Sequence, residues 1–188
     1  RYKVRLQVLS SFNDEPGTLV CDEEEIMESR VVSGVAYSRD EAKVTLISVA
    51  DRPGVAAAIF GPLADAGINV DMIVQNISED GRTDMTFSCP NDQVPGAVRA
   101  IKAAQDSGAI EYRALDLDEN VAKVSIVGIG MRSHAGVAQK MFKALADDGV
   151  NIKVITTSEI KVSVLVDRKY MELAVQSLHD AFELQNAS

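Results

Sequence analysis

Residues 54–70 (GVAAAIFGPLADAGINV) recur at 136–152 as GVAQKMFKALADDGVNI. Nine positions are identical at one constant offset: Gly54/Gly136, Val55/Val137, Ala56/Ala138, Phe60/Phe142, Leu63/Leu145, Ala64/Ala146, Asp65/Asp147, Gly67/Gly149 and Asn69/Asn151. A chain that carries one segment twice folds as two copies of a smaller unit. A working site is then expected between the copies.

Each copy opens on a β-branched, nearly alternating segment, 42–50 (AKVTLISVA) and 122–130 (AKVSIVGIG), which reads as a strand. A loop follows, DRPG at 51–54 and MRSHAG at 131–136. Val55, Ile59 and Leu63, like Val137, Met141 and Leu145, recur every fourth residue and mark the buried face of a helix. Gly67 and Gly149 stand where a helix end takes a left-handed residue. Two further strands are expected at 68–77 and 84–89, and at 150–158 and 160–166. In the first copy Asp80-Gly81 supplies a hairpin turn between them. A second helix carries Val94, Val98 and Ile101 in one copy and Met171, Val175, Leu178 and Phe182 in the other, with Asp92 and Asp167 as expected N-caps. The first copy continues into a strand at 110–117. The order is βαββαβ, an α+β unit of four antiparallel strands under two helices.

The second copy runs short, because only 184–188 follow its last helix. The upstream segment 31–38, beginning VVSGVAY, is expected to return and fill that edge, since an open edge is a liability. The first unit would then be inserted in the second. The expected domains are a connector at 1–26, one unit at 42–118, and another made of 31–38 plus 122–185. Within the connector, Val4, Leu6 and Val8 alternate like a strand, 10–17 is turn chemistry, and 21–25 (CDEEE) is acidic.

A net charge of −9 argues against nucleic acid and against anionic membrane surfaces. No apolar run approaches the length of a membrane span, and no signal peptide is visible. Cys21 and Cys89 are isolated, as in a reduced, cytoplasmic chain. The first residue is Arg, so the chain is expected to be processed or part of something longer.

The stretches SSFNDEPGTLV from Ser10, SGVAYSRDEAKVTLISVADRPGVAA from Ser33, INVDMIVQN from Ile68, KVSIVGIGMRSHAGV from Lys123 and NIKVITTSEIKVSVLV from Asn151 together resemble the C-terminal regulatory half of bacterial aspartate kinase, built from two ferredoxin-like ACT domains in tandem. The resemblance spans nearly the whole chain. It implies an allosteric module without catalytic residues, a feedback sensor binding threonine, lysine or both for the first step of the aspartate-family pathway. It also implies that residues 1–20 end a kinase domain whose nucleotide, magnesium and aspartate sites lie outside the chain. The expected partners are that kinase domain or subunit and a second copy in a homodimer. The chain would be an excised fragment or a small regulatory subunit made by internal initiation, for which Met27 is a possible start. An ACT-type module of another amino-acid enzyme is the nearest alternative.

The loop before each first helix is the candidate site. Amides at a helix N-terminus lack partners and sit at the positive end of the dipole, which suits a carboxylate. Pro53 and Gly54 shape the turn, Val55 and Ala56 begin the helix, and Asp51 can take an ammonium. A purely structural account of the same residues has Asp51 capping the helix and Pro53 at its first position. The next strand offers Asn69, Val70, Asp71, Gln75 and Asn76. A buried amide such as Gln75 would discriminate between ligands by hydrogen bonding. In the second copy Met131, His134, Gly136, Asn151, Ile152, Thr157, Ser158 and Glu159 correspond. Asp51 and Asp71 give the first copy two carboxylates where the second has Met131 and Lys153. The first copy is therefore expected to hold the cationic end of the ligand, with Met131, Asn151, Ile152 and Ser158 as a partner wall.

Other chemistries find less support. The Gly128-x-Gly130-x-x-Ser133 run lacks the third glycine and the acidic residue of a dinucleotide fingerprint. His134 and His179 have no nucleophile or metal-ligand set around them. An RNA-binding βαββαβ module needs basic charge and stacked aromatics, and Phe87 stands alone.

Overall fold

The computed structural model describes residues 6–9, 11–12, 17–20, 31–77, 81–128, 131 and 134–186. Strands β1 (Leu6–Val8) and β2 (Thr18–Val20) form a small separate hairpin, with Leu6 opposite Val20. The body follows as β3 (Gly34–Ala50), α1 (Val55–Asp65), β4 (Ile73–Ile77), β5 (Arg82–Pro90), α2 (Val94–Asp106), β6 (Ala114–Val127), α3 (Val137–Asp147), β7 (Ile152–Thr157), β8 (Lys161–Asp167) and α4 (Met171–Ala181). Among the described residues no helix is long and apolar enough to cross a membrane.

The expected four-stranded sheets are not separate. One antiparallel sheet runs in the order β4-β5-β3-β6-β8-β7. The polar stretches around 39–41 and 118–121, which separate strand segments in the sequence, do not interrupt the backbone. β3 extends 17 residues and β6 14 residues straight through them. The carboxyl-terminal half of β3 pairs with β5 and with 114–118 of β6, and this half-sheet belongs to the first copy. The amino-terminal half, from Gly34 opposite Val127 to Ser38 opposite Lys123, lies beside the half of β6 that pairs with β8. The polar stretches mark slips in register, at Ser38/Glu41 and Glu41/Lys43. Bulges bend strands and let them turn a corner between packed half-sheets.

Both helix pairs cover the same side of the strands. Val44, Leu46, Met85 and Phe87 meet α1 and α2 in one core, with Phe60 edge-on to Phe87 at 5.6 Å between ring centres. Ala122, Val124, Ile126, Val164 and Val166 meet α3 and α4 in another, which Val32 joins from upstream. The other side of the sheet folds onto itself. Edge strands β4 and β7 touch, although they stand furthest apart in strand order. Met72, Val121, Val154 and Leu165 form a third apolar cluster there. Hydroxyl pairs satisfy neighbouring polar positions, half-buried Thr45 with Thr86 at 2.9 Å and buried Ser125 with Ser163 at 2.7 Å.

Both first helices stop in the same way. Gly67 and Gly149 each have φ of +70°. The amide of Gly67 donates to the Ala64 carbonyl and that of Ile68 to Leu63; Gly149 and Val150 repeat this with Ala146 and Leu145. These are Schellman closures, which a residue with a Cβ adopts only under strain. The helix starts differ from expectation. Neither Asp92 nor Asp167 caps α2 or α4; Gln93 and Tyr170 stand at those positions, and each helix is preceded by a short 3-10 turn.

Candidate effector site

Residues 51–54 link β3 to α1. Gly54 is the N-cap of α1, with φ +92°, and no side chain caps the helix. Gly54 is the turn residue that the structural account of this loop has, and the other two parts of that account fail. Asp51 does not cap, and Pro53 precedes the N-cap instead of opening the helix. A left-handed residue at this position calls for glycine, and the amides of the first turn are left without a side-chain acceptor. Around them lies an open cavity of about 380 Å³ lined by Asp51, Arg52, Pro53, Gly54, Val55, Ala56 and Gln75. It falls at the small end of ligand-pocket volumes. One rim carries a carboxylate, Asp51, and a guanidinium, Arg52. Sequence reasoning named the loop but gave Arg52 no role, although its charge beside Asp51 was the available signal. Gln75 reaches the cavity because it pairs with Met85, on the helix-covered side of the sheet.

The remaining first-copy candidates lie elsewhere. The Asn69 amide donates to Gln93 Oε1 at 2.7 Å. Val70 packs against the first core. Asn76 lines a separate hollow of about 240 Å³ with Ser48, Arg82, Thr83, Asp84 and Arg113. Asp71 departs most from expectation. It lies on the helix-free side, where it binds Lys123 Nζ at 2.5 Å, and Lys123 also holds Glu41 at 2.8 Å. The Lys123 bond holds the Asp71 carboxyl below its usual range. Lys153, the counterpart of Asp71, is bound by Asp118 and Asp167, both at 2.6 Å. The charge difference between the copies thus serves the seam between half-sheets, and no two-carboxylate cradle forms at the loop.

In the second copy Gly136 repeats the N-cap geometry, φ +93° with no capping side chain. His134 is exposed beside it. Met131 is buried in the second core and Ile152 packs against that core. Asn151, Thr157 and Glu159 are exposed, and the Ser158 amide donates to the Lys161 carbonyl at 2.8 Å, closing the β7–β8 turn. The two loops leave opposite ends of the antiparallel β3–β6 ladder. Within one chain, then, Met131, Asn151, Ile152 and Ser158 do not wall the Asp51–Ala56 cavity, because the strands that carry them point the other way.

Cys89 is buried, and burial, with the charges of Glu41 and Asp92, pushes its thiol up to about 11. Among the described residues no group of three or more His, Cys, Asp or Glu side chains is placed to hold a metal ion. Gly128, the start of the dinucleotide-like run, is a glycine because the Val31 carbonyl passes where its Cβ would stand.

A repeated βαββαβ unit with an uncapped, glycine-started first helix defines a tandem α+β fold of two like units. Residues 43–106 and 124–182 each match an ACT domain family. The regulatory subunit of aspartate kinase from Thermus thermophilus, in its ligand-free form, is 40% identical and superposes with a TM-score of 0.75, covering 81% of this chain and 99% of that one. A chain from a structure of aspartokinase alpha and beta subunits is 49% identical, with a TM-score of 0.74 and the same coverage. An aspartate kinase of Pseudomonas fluorescens is 54% identical over 186 residues, 98% of this chain but 44% of that protein. The chain belongs to the aspartate kinase family, as its regulatory part of two ACT domains. It spans less than half the length of the full-length relative.

Proposed function

We propose that this chain is the feedback sensor of an aspartate kinase and that the Asp51–Ala56 cavity receives the effector, threonine, lysine or both. The observation that carries the reading is the uncapped start of α1 opening onto a cavity with a carboxylate on its rim. A free amino acid offers the complementary pair. Its carboxylate accepts from the first-turn amides and is favoured by the helix dipole. Its ammonium meets Asp51, and Gln75 faces the side chain. Because the second loop leaves the far end of the ladder, any closing wall comes from a second copy, in a two-fold pairing of ACT units. The effector then favours one mutual arrangement of the units, and an attached or associated kinase domain feels that arrangement.

Calorimetric titration of the chain with threonine and with lysine tests this. Asp51→Ala is expected to weaken binding by at least about tenfold, the scale of one charge-assisted hydrogen bond. Unchanged affinity in that variant, or no binding of either amino acid to the unaltered chain, overturns the reading.

A further inference from the structure

The strand that delivers the loop is held in an unusual shape. Between Leu46 and Val49 the β3–β5 register slips. Inside the slip, Ser48 has φ +60°, and only it and Glu183 are left-handed non-glycine residues among those described. An L-residue in that region is strained and persists only where its surroundings over-determine it. Here they do. The Ser48 amide donates to Asp84 Oδ1 at 2.8 Å, and its carbonyl accepts from Arg82 Nη1 at 3.0 Å. Arg82 is anchored in turn on Glu111 at 3.0 Å. Next to the bulge, the Ile47 carbonyl accepts from the Arg113 amide at 2.8 Å, and the Asp51 amide donates to Gly81 at 2.9 Å.

Among the described residues the device has no counterpart in the other copy. In the other, β6 and β8 pair without a slip from Val121 to Val127. The residue equivalent to Ser48 is Gly128, which is not left-handed. Because Met85 pairs with Leu46 and Val162 with Ile126, Asp84 corresponds to Lys161. A lysine cannot accept from an amide.

We infer that Asp84 is a positioning residue for effector binding: with Arg82 it holds Ser48 left-handed and so sets where Asp51 and the first-turn amides after Gly54 stand. The inference rests on the reading of that loop as the effector site. It gives the first copy a shape the second lacks, although their first helices start and stop alike.

The test is a cycle of Asp84→Ala, Ser48→Gly, their combination, and Asp84→Asn, with threonine and lysine as probes. Asp84→Ala is expected to weaken binding about tenfold, while Asp84→Asn, whose amide oxygen still accepts, stays within about twofold. Glycine adopts positive φ unaided, so Ser48→Gly should restore the affinity of Asp84→Ala. A loss that persists in the double variant overturns the inference, as does an Asp84→Ala chain that binds normally. Should Asp84→Ala alone not fold, the double variant is compared with Ser48→Gly, where no further loss is expected and a tenfold loss is contrary. Amide exchange at residues 48–54 without ligand separates the two readings. Faster exchange in Asp84→Ala, reversed by Ser48→Gly, supports the clamp even if neither amino acid binds; unchanged exchange refutes it.

Discussion

Lys123 binds two carboxylates whose surroundings differ. The Glu41 side chain is 7% exposed and that of Asp71 43%. Removing the cation strands a buried charge, whereas removing the exposed partner loses a screened contact. Lys123→Met is therefore expected to lower unfolding free energy by roughly 3 kcal/mol, and Asp71→Asn by less than about 1 kcal/mol, both read from urea denaturation. The pH dependence follows. The folded Asp71 carboxyl titrates below its ordinary 3.8 because Lys123 bonds to it. Asp118 is also lowered: burial alone would raise it, and the Lys153 bond, the Asn120 amide and the nearby lysine charges outweigh that. The folded state binds these protons more weakly, so their stabilisation is present above the ordinary carboxylate value and is lost as pH falls through the folded values. Lys153 titrates above its ordinary 10.5 through its bonds to Asp118 and Asp167. Its contribution is complete below 10.5 and is lost as pH rises through the folded value. Melting temperature should fall at both extremes, and the acid fall should be shallower in Asp71→Asn.

Among the elements, the repeated closures offer a clean comparison. Gly67 and Gly149 share φ +70°, and nothing lies within 4 Å of an added Cβ at either. Any loss on substitution therefore reports backbone strain and not a clash. Gly67→Ala and Gly149→Ala should each cost about 1–2 kcal/mol, a drop of roughly 2–4 °C per kcal/mol in melting temperature; unequal losses would show that the copies differ in more than sequence. Local signals of this kind were legible. The faces Val55–Ile59–Leu63 and Met141–Leu145, the glycine stops and the 51–54 loop all depend on residues a few positions apart. What the sequence hid depends on distant pairing. Ser38–Glu41 and Asp118–Val121 look like breaks because their polar residues suit turns, yet they are bulges in continuous strands. Asp71 looked like a ligand residue because its aim is set by Lys123, 52 positions away. Asp92 and Asp167 looked like caps, but Asp92 lies within the 3-10 turn before α2 and Asp167 ahead of the one before α4.

For the whole molecule, the two halves do not separate at any single point of the chain. Val32 and Val35 pack in the core made by α3 and α4, and Gly34–Ser38 hydrogen-bond to β6, although the first copy intervenes in sequence. A chain beginning at residue 41 should keep the first core and lose protection in the second. Exchange at the amides of Val124 and Ile126 should rise well above that at Leu46 and Met85. Equal protection in both halves would contradict this.

The two long strands carry a consequence for descent. Each serves one unit as its opening strand and the other as its closing strand, so the copies are links of a short chain and not beads on a string. Losing either long strand whole would take a rung from both units at once, so a duplication joined in this way is undone only by a cut within β3 and another within β6.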